Sequence, residues 1–314
     1  MFWEVSTSTM VLMSDHYHTP VLLQACIDSL NIRPGGVYVD LTFGGGGHSK
    51  EILKYLDVHG KLFAFDQDAD AAVNAPNNAC FTLIPQNFRY LKNYLRVYGI
   101  KQVDGILGDL GVSSHQFDEA DRGFSIRFDA PLDMRMNRDN PLSAKEVVNG
   151  YEAEQLVKLF KEYGELPNAG RITLQILEAR AAKPIETTGE LKEAIAKSTP
   201  KFEAHKFHAK VFQALRIEVN QEMQSLKECL EQCTDVLKPG GRLVVISYHS
   251  LEDRMVKNTI KTGNAEGREE KDAIYGTGKK WYRNLTGKPI LPDENEIKQN
   301  TRARSAKLRV GERI

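Results

Sequence analysis

Four consecutive glycines, Gly44 to Gly47, follow a short apolar run that ends in Asp40. The run from Val37 to Asp40 is β-branched and aromatic and predicts a buried strand, whereas the residues from Ser49 onward predict a helix. Glycines at such a junction let the backbone approach a ligand that any Cβ would exclude, and the helix behind them presents free N–H groups. The stretch therefore predicts a ligand-binding turn at the end of a first strand.

Strand and helix patterns alternate beyond this turn. Apolar runs at residues 62–66, 81–84 and 103–109 predict three more strands, and the first and last of these close on acids, Asp66 and Asp109. Alternation of this kind is typical of right-handed βαβ crossovers in a parallel sheet, which binds ligands at the carboxyl ends of its strands. We therefore predict an α/β fold with a ligand held near the glycine turn and these two acids.

The alternation stops after Asp109. Residues 111–140 are rich in Ser, Asp, Arg, Gly and Pro without a period, and they predict a long functional loop or lid. Residues 143–199 show three helical segments, and a long helical stretch at 206–237 leads into a fifth strand at 242–247. We accordingly divide the chain into a loosely ordered extension at 1–14, a main domain formed by 15–135 and 212–314, and an inserted helical domain at 136–211 that we expect to recognise the substrate.

Charge is balanced over the whole chain but not at its end. Lys plus Arg equals Asp plus Glu at 42 each, so any basic surface must be local. From Lys279 onward ten basic residues stand against four acids, with Trp281 and Tyr282 among them. Basic residues beside aromatics suit a nucleic-acid backbone with nearby bases, although a solvated basic edge strand accounts for the tail equally well.

Composition indicates a globular protein of a reducing compartment. With 314 residues, 41% of them apolar, the chain can bury one large core or two smaller ones. The four cysteines lack the density and spacing of a secreted disulfide framework, so we expect a cytoplasmic protein. No stretch predicts a membrane span, and the residues before Met13, itself a candidate start beside Met1, lack the basic region of a signal peptide.

The glycine turn does not match the fingerprint of a dinucleotide-binding fold. In the pattern G-x-G-x-x-G the third glycine is replaced by Ser49 when counting starts at Gly44, and by Lys50 when it starts at Gly45. A pyrophosphate is therefore disfavoured. An acid at the end of the second strand suits a nucleoside with a cationic amino-acid tail, because Asp66 can accept both ribose hydroxyls. This favours S-adenosylmethionine and a methyltransferase, although many other binders share a glycine turn.

Eight strings along the chain carry a more specific signal. They are His18 to Leu23, Asp40 to His48, Asp109 to Ser114, Arg122 to Ser125, Pro131 to Met136, Phe212 to Ile217, Ser247 to Arg254 and Arg304 to Arg309. In this order they closely resemble the bacterial family of ribosomal small-subunit RNA cytosine-N4 methyltransferases, the MraW family. So many separate strings argue against chance agreement.

The resemblance implies a class I, Rossmann-like methyltransferase with a mostly parallel seven-stranded sheet and an inserted small helical domain. It also implies methyl transfer from S-adenosyl-L-methionine to N4 of one cytosine in the decoding centre of 16S rRNA, within the small ribosomal subunit or its precursor. A homodimer is a further expectation. By similarity, the cofactor contacts fall on Gly45, Gly46, Gly47, His48, Asp66, Phe88, Asp109 and Gln116. Among these, Asp66 would hold the ribose, Phe88 the adenine, and Asp109 with Gln116 the sulfonium end.

Asp109 is the catalytic candidate. Amino-methyltransferases of DNA place an acidic or polar residue, two prolines and an aromatic residue at this point, and here Asp109 is followed by Leu-Gly-Val. We expect Asp109 to accept hydrogen bonds from the target amine, and Phe124 or Tyr248 to stack on the unstacked base. Two alternatives stay open: methylation of another nucleic-acid amine, and a non-catalytic RNA-binding scaffold. A nicotinamide oxidoreductase is disfavoured by the missing glycine.

No metal site is expected. Cys229 and Cys233 lie four residues apart on one helical face, which is far more often a core stripe than half of a zinc site. His205 and His208 also have helical spacing, but the sequence offers no third ligand beside them.

Overall fold

The structure, a computed structural model, describes residues 20–269 and 280–314, so the expected extension at 1–14 lies outside the described residues. Its centre is a seven-stranded sheet. The strands are β1 (Val37–Asp40), β2 (Lys61–Phe65), β3 (Phe81–Ile84), β4 (Val103–Asp109), β5 (Leu237–Ser247), β6 (Tyr282–Asn284) and β7 (Lys307–Arg313). Their order across the sheet is β3-β2-β1-β4-β5-β7-β6. The strands β1 to β5 pair in parallel, whereas β7 runs antiparallel to both β5 and β6. The predicted fold class is confirmed.

Helices cover both faces of the sheet and form a separate cluster beside it. They are α1 (Leu23–Leu30), α2 (Gly47–Leu53), α3 (Leu91–Val97), α4 (Ser114–Asp118), α5 (Ala144–Gly150), α6 (Ala153–Glu162), α7 (Ala169–Ala182), α8 (Thr188–Ala194), α9 (Ala204–Asn220), α10 (Glu222–Val236), α11 (Ser250–Thr262) and α12 (Glu294–Gln299). Within the described ranges, none of these helices combines the length and the apolar character that a bilayer span requires.

Successive side chains along each strand point to opposite faces of the sheet, so the main core has two layers. Val39 and Phe63 point to one face, where they pack with apolar residues of α3, α10 and α11. Tyr38 and Leu62 point to the other, against α1 and α2. Because successive side chains of a strand leave opposite faces, a strand covered by helices on both sides is apolar throughout. This is the origin of the uninterrupted apolar runs in the sequence.

The register of the parallel strands sets the place of the acids. Val39 pairs with Phe63 of β2 and with Ile106 of β4, so β1, β2 and β4 end at one edge of the sheet. Asp66 directly follows β2, and Asp109 is the last residue of β4. The strand order reverses between β1 and β4, and a crevice at such a switch point is the usual ligand site of an open α/β sheet.

A further apolar cluster lies outside the sheet. Its buried residues run from Phe124 to Val219 and belong to α5 to α9 and to the segment before α5. That segment is fastened to the helices by backbone hydrogen bonds, for example from Leu132 N–H to the carbonyl of Glu186. The cluster thus has its own core, while the predicted bounds of an inserted domain at 136–211 stay a prediction.

The helical stretch predicted at 206–237 is divided in two. Gln221 adopts a left-handed conformation with φ of 50° and separates α9 from α10. Beside it, the Asn220 side chain accepts from Met136 N–H and donates to the carbonyls of Met134 and Arg216. These bonds tie the break to the loop that precedes α5, which is a long-range constraint that helical periodicity does not contain. Strand β5 also begins earlier than predicted, at Leu237.

Candidate active site

The carboxyl ends of β1, β2 and β4 open into a cavity of about 820 Å³. Segments that follow the first five strands contribute to its wall, and Asn300, Arg302 and Ser305 close one side. Of the residues predicted to contact the cofactor, all but Gly46 line this cavity: Gly45, Gly47, His48, Asp66, Phe88, Asp109 and Gln116.

The glycines of the turn have different surroundings. A Cβ at Gly45 would meet no protein atom within 4 Å, so this glycine leaves room on the cavity side. A Cβ at Gly46 would lie 2.8 Å from the Phe43 ring, and one at Gly47 would lie 2.2 Å from Pro20 Cγ. Gly46 also has a φ of 75°, in the region that favours glycine. Gly46 and Gly47 are therefore required by the protein's own packing, whereas the packing places no such requirement on Gly45.

Asp40 connects the residues on the two sides of the glycine turn. Its carboxylate is buried and accepts hydrogen bonds from Ser49 Oγ at 2.7 Å and from Thr42 N–H at 3.0 Å. Ser49 belongs to α2, so one buried carboxylate connects the end of β1 to the first turn of the helix. Burial raises the pKa of Asp40, and the two donors favour its charged form. Asp40 therefore sets the shape of the turn, and, besides burial, its charge contributes to the raised pKa of Asp66 and Asp109.

Asp66 lies across the turn from Asp40. Its Oδ2 accepts from Gly44 N–H at 2.7 Å and its Oδ1 from Asp68 N–H at 2.9 Å. Each oxygen keeps a second lone pair, which is what a pair of ribose hydroxyls would need. Burial raises the pKa of Asp66 to about 6. Phe88, on the same wall, begins a short 3₁₀ turn and is partly buried against the sheet core, so its ring is held in place.

Asp109 connects three elements at the tip of β4. Its Oδ1 accepts the hydroxyl hydrogen of Tyr248 at 2.7 Å, and its backbone N–H donates to Thr42 Oγ1 at 2.7 Å. Its Oδ2 lies 3.8 Å from Nδ1 of His48. The other ring nitrogen of His48 is 3.1 Å from the carbonyl of Val21, which can only accept, so Nε2 carries a proton. Burial raises the pKa of Asp109 to about 6.

A buried arginine, Arg122, supports the part of the cavity wall that contains Asp70 and Gln116. Arg122 is 1% exposed and donates to Asp68 Oδ2 at 2.8 Å and to Asp70 Oδ2 at 2.9 Å. Gln116 donates to the same Asp68 oxygen at 2.7 Å and accepts from Ser113 N–H. Although burial opposes ionisation, the bonds from Arg122 and Gln116 hold the pKa of Asp68 below its ordinary value. Gln116 therefore shapes the cavity wall with an amide that is already engaged by the protein.

The two aromatic residues that were expected to stack on the target base have different surroundings. Phe124 is 4% exposed and belongs to the apolar cluster of the helical segment, so the expectation that it stacks on a substrate base is wrong. Its ring packs under the guanidinium of Arg122, 5.9 Å from the ring centroid. Tyr248, in contrast, lines the cavity. The sequence could not separate the two because the difference lies in what packs on each ring, which depends on distant segments of the chain.

One group of side chains in the described ranges has the spacing of metal ligands: atoms of Glu222, His249 and Glu252 lie within 4.8 Å of one another. Arg216 already binds Glu222 with two hydrogen bonds of 2.8 and 2.9 Å, and His249 Nε2 lies 3.1 Å from Glu252 Oε1. Glu252 Oε2 also accepts from the N–H groups of Tyr248 and His249. These atoms are therefore already engaged within the protein, and Glu252 orients Tyr248.

Two arginines of the basic tail contact other residues of the protein near the site. Arg302 lies over the Phe117 ring, 5.4 Å from its centroid, and binds Asp118 at 2.5 and 3.3 Å. Arg309 of β7 binds Asp253 at 2.6 and 3.1 Å. These two arginines of the predicted nucleic-acid-binding tail are therefore already paired, and Arg302 brings the tail to the rim of the cavity.

Sequence reasoning missed several residues of the site. Tyr248, Arg216 and Arg302 line the cavity, and Arg122 braces its wall, yet none of them was predicted to contact the cofactor. Three of the four lie within strings that carried the family resemblance, so the resemblance marked the positions without giving their roles. Arg302 has no such signal.

The sheet order with its single reversed strand, the glycine turn after β1 and the acids after β2 and β4 define a class I methyltransferase. The chain belongs to the MraW methylase family, whose model matches residues 15–314. A ribosomal RNA small subunit methyltransferase H from Flavobacterium johnsoniae is 58% identical over 298 residues, covering 95% of this chain and 98% of the relative. One of the same name from Bacteroides thetaiotaomicron is 55% identical over 297 residues, covering 95% and 97%. A solved structure of a putative rRNA-methylase from Clostridium thermocellum aligns with a TM-score of 0.43 and 13% identity, covering 94% of this chain and 98% of that chain.

Membership in a methylase family confirms S-adenosylmethionine as the predicted cofactor. The residues of the cavity fit this group. Within the described part of the chain, neither Asp66 nor Asp109 has a lysine or arginine partner, and both have a raised pKa. Partly buried carboxylates of this kind are stabilised by a cationic ligand, and Gly45 lines the same cavity as both acids. When bound, S-adenosylmethionine supplies an electrophilic methyl group.

Proposed function

We propose that the protein methylates the exocyclic N4 of a specific cytosine in the decoding centre of 16S rRNA, within the small ribosomal subunit or its precursor. The names of the relatives support a small-subunit RNA substrate, and the eight family strings support cytosine N4. The observation that carries the chemistry is the Asp109 carboxylate, held at the floor of the cavity by Tyr248.

The target amine needs an acceptor. The lone pair of cytosine N4 is delocalised into the ring, so the nitrogen becomes nucleophilic only as it turns tetrahedral and its hydrogens become more acidic. The hydroxyl of Tyr248 already donates to Oδ1 of Asp109, so Oδ2 is left to accept a hydrogen bond from the amine. As the nitrogen gains the methyl group it loses one proton, and a carboxylate with a pKa of about 6 is a better proton acceptor than an ordinary aspartate.

Tyr248 also supplies the aromatic ring that the sequence after Asp109 lacks. It comes from the end of β5 rather than from the segment after β4, and it lines the same cavity. A flat ring beside the acceptor can support a base that has been unstacked from its RNA. We assign to Asp109 the role of acceptor and to Tyr248 the orientation of both Asp109 and the base.

Two other functions compete with this proposal. Methylation of a different nucleic-acid amine would use the same acceptor, and it differs only in the nucleotide that is modified. A non-catalytic RNA-binding scaffold would not need two carboxylates with a raised pKa at a cofactor cavity, neither of them paired with a lysine or arginine of the described residues, so this feature disfavours it. An rRNA substrate supports the expected cytoplasmic location, and the homodimer stays a prediction.

The deciding experiment uses small subunits from bacteria that lack this protein. We expect transfer of label from S-adenosylmethionine carrying a radioactive methyl group to one cytosine, located by nuclease digestion and mass spectrometry. Asp109→Asn should lose turnover even at saturating cofactor, where its weaker cofactor binding no longer limits the rate, while Asp121→Asn, which changes an exposed acid, should retain turnover. Absence of label in RNA with bound cofactor would overturn the proposal, and label on another nucleotide would favour the first alternative.

A further inference from the structure

The helical cluster presents one aromatic ring entirely to solvent. Phe202 is 100% exposed, the highest value among the large apolar side chains that the structure describes. It lies in the turn between the 3₁₀ segment Ala196–Ser198 and helix α9. A phenylalanine in this position contributes no burial free energy to folding, because its apolar surface stays in water. We call residues 199–203 the α9 turn.

The turn itself is fixed on both sides. Ile195 and Phe207, which flank it, are buried in the core of the helical cluster. Thr199 Oγ1 lies 3.2 Å from the carbonyl of Ile195 and 3.2 Å from His208 Nε2. The N–H of Phe207 donates to the carbonyl of Glu203 at 2.9 Å. An anchored backbone therefore presents Phe202 outward, which reduces the conformational entropy that a partner must overcome.

Positive charge surrounds this ring. Residues 197–210 contain four lysines, Lys197, Lys201, Lys206 and Lys210, against one acid, Glu203. Glu203 is paired with Lys206 at 3.4 Å, and within the described ranges neither Lys197 nor Lys201 has an ion pair. Both of these lysines are exposed. Two exposed lysines thus precede the ring by one and five positions, and both are available to an anionic partner.

Helix α9 links the turn to the cavity. It runs from Ala204, next to the turn, to Asn220, and its Arg216 lines the cavity. At 1.5 Å per residue, the twelve steps from Ala204 to Arg216 span roughly 18 Å. A partner that reaches from the cavity to Phe202 must therefore be extended, as a nucleic-acid strand is.

We propose that the α9 turn is a second contact site for the RNA substrate, in which Phe202 stacks on an unpaired base and Lys197 and Lys201 contact the adjoining phosphates. This inference rests on the proposed function. Stacking of a base on an aromatic ring combined with nearby cations is the usual recognition of unpaired RNA. A protein partner is disfavoured because it needs a larger apolar patch than one ring enclosed by charges.

The first test compares variants at Phe202. Phe202→Ala should raise the KM for small subunits about tenfold, while kcat at saturation and the Kd for S-adenosylmethionine stay unchanged. Phe202→Trp should restore the KM because it restores a stacking face. Since the ring is fully exposed, the thermal midpoint of both variants should equal that of the native chain, which separates loss of stacking from loss of folding.

The second test reads binding without turnover. In the Phe202→Trp variant the added indole should lose fluorescence when protein-free 16S rRNA is titrated in, and much less with a perfect RNA duplex. Val97→Trp, at a position 77% exposed on α3, is the matched control and should not respond. Changing Lys197 and Lys201 together to alanine should reduce the slope of log affinity against log salt by about 1.4.

The outcomes separate the two proposals. If the native chain methylates its RNA and Phe202→Ala does so with the same KM, the contact site is refuted and the proposed function stands. If Phe202→Ala weakens binding to the assembled subunit but leaves binding to protein-free RNA unchanged, the partner of the turn is a protein and the inference is wrong. If no RNA is labelled although the indole is quenched by RNA, the proposed function fails while the contact site holds.

Discussion

The hydroxyl of Tyr248 donates a hydrogen bond of 2.7 Å to Oδ1 of Asp109. The two residues are 139 positions apart in sequence, and adjacent parallel strands, β5 and β4, bring them together. Tyr248 is fixed in turn by Glu252, which accepts its backbone N–H at 2.9 Å. The acceptor that we assign to the target amine is thus oriented from the neighbouring strand.

Removal of this hydroxyl should reduce catalysis more than binding. Tyr248→Phe keeps the ring but leaves Oδ1 of Asp109 without its donor, so the carboxylate can rotate and its pKa should rise further. A hydrogen bond to a charged group contributes about 1.5–3 kcal/mol, which predicts a fall in kcat of roughly 10- to 100-fold. The pH–rate profile should shift to higher pH, while the Kd for S-adenosylmethionine changes little. An unchanged profile with reduced kcat would mean that Tyr248 acts on the base alone.

Asp109→Asn should stabilise the cofactor-free protein at neutral pH. Folding raises the pKa of Asp109 from the ordinary 3.8 to about 6, so its protonated form contributes stability below pH 4 that is lost as the pH rises through 6. Asparagine does not ionise and can still accept from Tyr248. Above pH 6.5 the variant should therefore gain about 1–3 kcal/mol in the free energy of unfolding, and at pH 4 much less. Urea titrations at the two pH values measure this, and equal gains at both would contradict the assignment.

Binding of the cofactor should improve as the pH rises through about 6. Asp66 and Asp109 are both partly protonated near pH 6, and a cationic ligand favours their charged forms. The Kd for S-adenosylmethionine should fall between pH 5 and pH 7, with release of protons. Calorimetry in buffers of different ionisation enthalpy counts these protons. S-adenosylhomocysteine lacks the sulfonium charge and is the control, for which the pH dependence should be weaker.

Much of the fold could be predicted because burial on both faces leaves apolar runs in the sequence, as in β1 and β4, and because Asp66 and Asp109 end such runs. The break at Gln221 could not, since a left-handed glutamine is imposed by hydrogen bonds of Asn220 to residues 84 and 86 positions away. The buried position of Arg122 could not be predicted either. An arginine in a polar loop is expected at the surface, and only the folded loop brings it to acids 52 and 54 positions away.

Replacement of Arg122 should destabilise the protein and weaken cofactor binding together. The guanidinium reaches Asp68, Asp70 and the carbonyls of Arg135 and Met136, so it joins the cavity wall to the loop before α5. Arg122→Met would leave Asp68 charged, buried and without its main partner, at a cost of about 3–5 kcal/mol.

Denaturant unfolding and a cofactor titration check both effects. Arg122→Lys keeps the charge but not the planar fork, and it should recover only part of the loss. Arg127→Ala, at an exposed position of the same loop, should be neutral. Loss of cofactor affinity without loss of stability would indicate that Arg122 contacts the ligand directly.

Single alanine substitutions should divide the glycine turn into a ligand-facing and a packing part. At Gly45 an added Cβ meets no protein atom within 4 Å, so Gly45→Ala should fold with an unchanged thermal midpoint and lose affinity for S-adenosylmethionine. At Gly47 the Cβ would lie 2.2 Å from Pro20 Cγ, so Gly47→Ala should lower the free energy of unfolding by about 1–3 kcal/mol, a typical cost of overpacking. Differential scanning calorimetry and cofactor titration of both variants give the comparison. If Gly45→Ala were the destabilised variant and bound the cofactor normally, the ligand would not lie against this part of the turn, and the cavity would need another occupant.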